Sequence, residues 1–379
     1  MPHKVLHITT STQTGGAEKQ LLRLMESSDP ELFTHEVACL EPKGPIGQEM
    51  EAAGIAVHCL DLSPSVGYLP RGIAGLLRLK NQLKPDLVQC WMYHANLLGL
   101  APTYLGKRLP LFWGIFCTDV DFSKYSPATR LVVATSKMTS GLPAKIVCNS
   151  QRSIDYHAGL GFKRKNFHLL YNGFDTEVLR PRPEARQRIR AELGLDDGHV
   201  LIGNVARFDP MKDHKSLVLA AAEVIKDFPQ ARFVLIGREM HNLLDIFQAT
   251  GLDRLRDYFI LPGERHDIPD FLNALDLHVN CSSFGEGFSN AVGEAMATGV
   301  PNLVTLVGDN DHLVGDTGYV IPPKDPARLA QTLKEFLALP LEARKDLGQK
   351  ARRRISEHFS IPAMVAAYHS LYLDVLQKR

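Results

Sequence analysis

Short apolar runs alternate with stretches of three-to-four periodicity along the whole 379-residue chain, and few architectures accept that pattern. Strands that read as nearly continuous apolar runs are covered on both faces, and parallel strands joined by crossover helices provide that cover. A first set of runs comprises "KVLHITT", "HEVACL", "AVHCLDL", "DLVQCW", "LPLFWGIF", "AKIVCNS" and "FHLLYNG". "FDTEVLRPRPEARQ" follows, where Pro181 and Pro183 read as a linker. A second set is "HVLIGNVAR", "ARFVLIG", "DYFILPG", "LDLHVNC", "PNLVTLVG" and "TGYVIPP". The chain is long enough for two cores. The expectation is two α/β, Rossmann-like, doubly wound domains, 1–171 and 172–359, with the apolar-striped helix of about 360–379 packing back on the first.

Charge narrows the partners. The 43 basic and 42 acidic residues nearly cancel and neither forms long runs, so nucleic acid is not expected as a partner. Any anion must be met locally. The six cysteines are scattered with no C-x-x-C, as buried thiols in a reducing compartment are. "MPHKVLHITT" turns polar too early for a secretory signal, and no apolar run reaches the roughly 18 residues of a membrane span. A cytoplasmic protein is expected, with attachment to the inner face of a membrane left open.

Three places carry chemistry. Gly15 and Gly16 lie between the first strand and a helix, where bare amides and the positive helix end suit a phosphate or simply make a tight turn. Arg207 and Lys212 follow the first strand of the second half, five positions apart; they suit a diphosphate, or they are ordinary solvated loop charges. The third place is "SSFGEGFSNAVGEAMATGVP", with Glu286 before a helix that Ser289 or Asn290 caps, Glu294 one turn inside, and Gly299 as its stop. The two acids read as a glycosidase pair, as capping acids, or as hydroxyl acceptors for a polyol. On one helix, eight positions would separate them by about 12 Å, beyond the roughly 5 to 9.5 Å of hydrolytic pairs. Acceptance of vicinal hydroxyls fits better.

Together the Gly-Gly turn, Arg207-x4-Lys212, the E-x7-E of Glu286 and Glu294, and the phrases "YNGFD", "KDH", "LPGERHDIP" and "EAMATGVP" resemble the retaining glycosyltransferases of family four over nearly the whole chain. The resemblance implies a GT-B fold, the two domains facing a central cleft, and transfer of a hexose from a nucleoside-diphosphate sugar, UDP favoured, to a glycan or lipid-linked acceptor in cell-surface polysaccharide biosynthesis. It implies Arg207 and Lys212 on the diphosphate with Gly15 and Gly16 closing over it, Glu294 on the ribose, Glu286 on the donor sugar, and the backbone of Gly287, Phe288, Ser289 and Asn290 on sugar or phosphate. Gly263 and Arg265 fall in the base-binding segment. No metal or other cofactor is implied.

Two segments depart from the family pattern. Where many relatives carry a histidine after the fifth strand, this chain has Phe116, Cys117 and Thr118; His94 is the substitute in a comparable strand-end position, either catalytic and acceptor-side or structural. In "IGREM" a glycine frequent after Gly237 in relatives is replaced. Asp119-Val120-Asp121 spells D-x-D, and acceptor-loop polarity accounts for it better than a metal. The helix bearing Arg71, Arg78, Lys80 and Lys84 beside Leu76, Leu77 and Leu79 is read as an ordinary amphipathic helix, with peripheral membrane contact as its alternative. The rival functions are a catalytically weak or inactive sugar-nucleotide-binding protein of the same fold and a nicotinamide-dependent oxidoreductase, which lacks its G-x-G-x-x-G here.

Overall fold

Every apolar run quoted above carries a strand in the computed structural model, which describes residues 1–62, 68–106, 108–119 and 126–378. In the first half, β1 (His3–Thr9), β2 (Phe33–Cys39), β3 (Ala56–Cys59), β4 (Leu87–Trp91), β5 (Leu111–Ile115), β6 (Lys145–Cys148) and β7 (Phe167–Leu169) form one sheet ordered β3-β2-β1-β4-β5-β6-β7. All neighbours are parallel: Val5 of β1 lies beside His35 of β2 and Leu87 of β4. In the second half, β8 (Val200–Val205), β9 (Ala231–Ile236), β10 (Phe259–Gly263), β11 (Leu277–Asn280), β12 (Asn302–Thr305) and β13 (Tyr319–Ile321) form a second parallel sheet, ordered β10-β9-β8-β11-β12-β13.

The chain divides into two compact units, Met1–Gly173 with Ile361–Arg379, and Phe174–Ser360. The boundary falls two residues past position 171. Gly173 is held by the first unit, since Gln20 Nε2 donates to its carbonyl and its amide donates back to Gln20 Oε1, both at 3.2 Å. Phe174 belongs to the second; its amide donates to the Phe359 carbonyl at 2.9 Å. The segment with Pro181 and Pro183 is not a linker. Asp175 accepts from the amides of Glu177 and Val178, Leu179 is buried, and Pro183 opens the helix Pro183–Glu192, where a missing N–H costs nothing.

Both faces of the first sheet are covered. Helices over one face bury Leu76, Tyr93, Leu98 and Val133 against Ile8, Cys90 and Trp113. Over the other, Ile361, Met364, Val365, Tyr368, Leu371 and Tyr372 of the C-terminal helix Ile361–Gln377 pack on Val5, Val37 and Phe112. Tyr372 also donates its hydroxyl to Gln89 Oε1 at 2.6 Å inside that core. In the second unit Leu217, Val224, Phe233, Phe247, Leu333 and Phe336 form a single cluster with β8, β9 and β11. The helix Tyr68–Leu83 turns Leu76 and Leu79 into the core, as an ordinary amphipathic helix does, and leaves Arg71 and Arg78 exposed.

Candidate functional site

In an open parallel sheet, ligands gather outside the carboxyl ends of the strands where the strand order reverses. In the second unit that point lies between β8 and β11, because the chain runs outward through β9 and β10 and returns to the other side of β8. Arg207 and Lys212 follow β8, and Glu286 follows β11. The topology therefore brings together charges that the sequence keeps more than seventy positions apart.

Asp209 organises the first loop. Its Oδ1 accepts from the Met211 amide, capping the 3-10 turn Pro210–Lys212, and its Oδ2 takes Arg207 Nε at 3.0 Å and Nη2 at 2.8 Å. The exposed guanidinium is thus aimed before any ligand arrives. Lys212 reaches across to Glu286, Nζ to Oε1 at 2.5 Å, with both side chains largely buried. Ser282 Oγ donates to the same carboxylate oxygen at 2.7 Å and Asn280 Nδ2 lies at 3.5 Å. Burial is the largest influence on Glu286 and acts to raise its pKa, yet the Lys212 charge and these hydrogen bonds outweigh it and hold the carboxyl below its ordinary value. A carboxyl held ionised is unsuited to the general-acid role of a glycosidase pair. The loops approach closely at Gly285, whose φ of 83° and missing Cβ leave room for the Met211 sulfur.

Ser289 takes the N-cap position of the helix Asn290–Ala297 but makes no capping hydrogen bond; its hydroxyl accepts from Asn280 Nδ2 at 3.1 Å. Glu294 is buried one turn in. Beneath it on β11, His278 is fully buried with Nδ1 against Asn302 Oδ1 at 2.7 Å; burial lowers its pKa to about 4 although Glu294 pulls it upward. Gly287 is pinned from behind, its carbonyl accepting from the Asp309 amide at 2.8 Å. At the end of β10, Gly263 and its neighbours line a cavity of about 550 Å³ with Gly237, Arg238, Glu239, His241 and Glu264. Arg265 is engaged elsewhere, bidentate to Asp267 at 2.9 Å, paired with Glu192 at 3.2 Å and over the Phe271 ring at 4.7 Å. Its side chain braces the loop from within.

The family description Glycosyl transferases group 1 matches residues 185–354, and Glycosyltransferase Family 4 matches residues 14–178. The chain is a family-four glycosyltransferase. It is 24% identical over 394 residues to the UDP-Gal:alpha-D-GlcNAc-diphosphoundecaprenol alpha-1,3-galactosyltransferase of Escherichia coli, covering 98% of this chain and 97% of that one. It is also 24% identical over 286 residues to the N-acetyl-alpha-D-glucosaminyl L-malate synthase of Bacillus anthracis, across 75% of this chain and 73% of the other. Among solved structures, HepE of Anabaena in complex with UDP and glucose shares the GT-B fold at a TM-score of 0.85, with 22% identity, 98% of this chain and 100% of that chain covered.

The glycosyltransferase's first unit has its own reversal point between β1 and β4, flanked by Gly15 and Gly16 after β1 and His94 after β4. The helix Gly16–Glu26 begins with no side-chain cap, and the Glu18 carboxylate folds over Gly15 so closely that a Cβ there would lie 2.2 Å from Oε2. Burial raises the Glu18 pKa, while its own backbone amide pulls it down. His94 lies in the first turn of the helix Met92–Leu98, which follows β4 directly and opens with Met92 at φ 70°; burial lowers its pKa, with Glu41 nearby acting in the opposite sense. Cys117 lies 3.5 Å from the Tyr93 hydroxyl, which contacts His157 Nε2 at 2.5 Å, and its carbonyl accepts from Ser153 Oγ at 2.7 Å. Of the D-x-D segment, Val120 and Asp121 lie outside the described residues.

Proposed function

We propose that this enzyme moves a hexose from a nucleoside-diphosphate sugar to a hydroxyl of a glycan or lipid-linked acceptor, with retention at the anomeric carbon. The observation that carries this reading is the buried Lys212–Glu286 pair at the carboxyl ends of β8 and β11. In the free protein each partner stands in for part of a donor: the carboxylate for a phosphate oxygen, the ammonium for a hydroxyl hydrogen. When the donor binds, Lys212 and Arg207 meet the diphosphate, Glu286 accepts from the sugar, Glu294 from the ribose, and the backbone of Gly287–Asn290 approaches sugar or phosphate. As the bond from sugar to phosphate lengthens, charge grows on the leaving oxygen, and fixed cations stabilise it more than they stabilise the ground state. The acceptor hydroxyl attacks from the same face and its proton passes to the leaving phosphate oxygen. The cationic pair supplies the neutralisation that a metal supplies in other transferases, so no metal enters the scheme.

UDP is the favoured carrier, since the Escherichia coli relative is named for UDP-Gal and HepE is described with UDP. Relatives named for undecaprenol-linked and lipopolysaccharide-core substrates support a role in cell-surface polysaccharide assembly. A thermal-shift panel of UDP-, GDP- and ADP-sugars tests the reading, because a true donor raises the melting temperature by mass action. The expected result is a shift with UDP-sugars that Lys212→Ala and Arg207→Ala lose together with transfer. Unchanged turnover in both variants would overturn it. Glu294→Ala should chiefly weaken nucleotide binding, and Glu286→Ala should chiefly depress transfer.

A further inference from the structure

We propose that Cys39 and Cys59 form a thiol–disulfide exchange site, and that closing the bond between them loosens the turn carrying Gly15 and Gly16. The two residues end β2 and β3 and stand directly opposite in the parallel register, one pair beyond Ala38 and His58. Register partners on adjacent strands send their side chains to the same face, with backbones roughly 4.8 Å apart. That spacing falls inside the roughly 4.4 to 6.8 Å between Cα atoms that a disulfide spans. The ladder runs on past both residues, the Leu60 amide donating to the Cys39 carbonyl and the Leu62 amide to that of Leu40, each at 2.9 Å, so the pair stays opposite. Both are free thiols: Cys39 is buried, and Cys59 is partly exposed on β3, the outer strand of its sheet.

The oxidant is an external disulfide of the glutathione class. Cys59, the open partner, attacks one of its sulfurs and expels a glutathione thiolate; Cys39 then attacks the Cys59 sulfur of the mixed disulfide and expels the second. Each cysteine gives up its proton, two protein thiols are oxidised, and one external disulfide is reduced to two glutathione thiols. Burial raises both pKa values, that of Cys39 to about 11; at Cys59 the charges of Asp61 and Glu51 add to the rise, while Lys43 and a hydrogen bond from Cys39 oppose it. The pair therefore rests as two thiols and reacts slowly near neutral pH.

Closing the bond moves Cys39, because a disulfide draws its two Cβ atoms to about 3.8 Å, less than the strand spacing. Cys39 Sγ lies 3.8 Å from the Thr10 carbonyl and 3.9 Å from Thr12 Oγ1. Thr12 is buried between that sulfur and the turn that follows β2. Its Oγ1 accepts from the Gly44 amide at 2.9 Å and its carbonyl from the Ile46 amide at 3.1 Å. A Cβ on Gly44 or Gly47 would lie 2.6 or 2.7 Å from those two oxygens, so the fit on that side is already tight. Withdrawing the sulfur opens the other side, three residues before Gly15 and the start of the helix Gly16–Glu26. The bond forms whatever the chain transfers, whereas its effect on a diphosphate at Gly15 and Gly16 rests on the transfer reading.

Incubation of the full chain with glutathione disulfide in mildly alkaline buffer, followed by intact mass and peptide mapping, tests the proposal. The expected product has lost two hydrogens, carries no glutathione and joins the peptides of Cys39 and Cys59. Cys39→Ser should stop at the mixed disulfide with one glutathione held on Cys59. Cys59→Ser should leave Cys39 unmodified, because that thiol is closed to solvent. In the oxidised parent, hydrogen exchange at the amides of 10–16 should quicken. Transfer should fall by about tenfold and recover with dithiothreitol, since small displacements of positioning groups weigh that heavily; Cys59→Ser should transfer equally with and without the oxidant. A parent that keeps both thiols under excess oxidant, a Cys39→Ser variant that holds no glutathione, or a joined pair with exchange at 10–16 unchanged would each overturn the proposal. A chain that transfers nothing in either state, yet shows the bond and the quickened exchange, would overturn the transfer reading and support this site.

Discussion

Lys212 and Glu286 meet with 15% and 10% of their side chains open to water, and a pair that dry is costly to leave half made. Lys212→Met leaves a buried carboxylate with only Ser282 and Asn280 to satisfy it and should cost about 3 kcal/mol of stability. Lys212→Met combined with Glu286→Gln should cost less than the two changes summed, because the second removes the charge that the first strands. Urea unfolding of the four proteins in the cycle measures this coupling, and strict additivity would sink the assignment. The two charges themselves were legible in the sequence, since each follows an apolar run at the end where parallel sheets expose their loops. Asp209, Asn280 and Ser282 were not. Short polar residues are ordinary in loops, and what distinguishes these three is a neighbour supplied by strand order. Asn280 at the end of the buried strand "LHVN" was a hint, a polar group that, like His278 two positions before it, stands in a run closed to water.

At the scale of elements, the strands were legible because burial on both faces demands unbroken apolar runs, whereas Pro181 and Pro183 misled because proline marks a helix's first turn as readily as a linker. The C-terminal helix shows a further property that periodicity could not supply. His369 on that helix shares Ser28 Oγ with His35 of β2, at 3.1 and 2.8 Å; His35 Nδ1 lies 2.9 Å from His7 Nε2 of β1, and Trp91 Nε1 donates to His7 Nδ1 at 3.2 Å. Burial lowers all three histidines: His7 well below its ordinary value with His35 adding repulsion, His35 to about 4 with His369 adding to it, and His369 less, since Asp29 pulls it back up. The folded protein therefore keeps the network neutral where the unfolded chain has begun to protonate. The unfolded state binds more protons between about pH 6.5 and the lowered native values. Stability is then complete above that range and falls as pH drops toward about 4. Thermal midpoints followed down this range should decline for the parent, and less steeply for His35→Gln. Identical slopes would assign the acid sensitivity to the other buried histidines, His157, His214 and His278, instead.

The whole molecule is two cores threaded by one chain, and the threading is unequal. The second unit is continuous, Phe174–Ser360, with its own apolar cluster and every residue to which donor binding is assigned in that half. The first is interrupted: the chain leaves at Gly173 and returns at Ile361 to lay Ile361, Met364, Tyr368 and Tyr372 over one face of the sheet. Fragments of the two units should consequently behave differently. Residues 174–360 expressed alone should fold cooperatively and retain affinity for a nucleoside diphosphate through Arg207, Lys212 and Glu294. Residues 1–173 alone should leave Val5, Val37 and Phe112 uncovered on one face, and Gln89 without the Tyr372 hydroxyl, so they should be aggregation-prone. A synthetic peptide of residues 361–379 should restore solubility and helical signal to the N-terminal fragment, since it returns the missing cover. Circular dichroism and calorimetric titration of the fragments decide the matter. A stable, monomeric 1–173 fragment indifferent to the peptide would show that the returning helix is an accessory to that core and not a part of it.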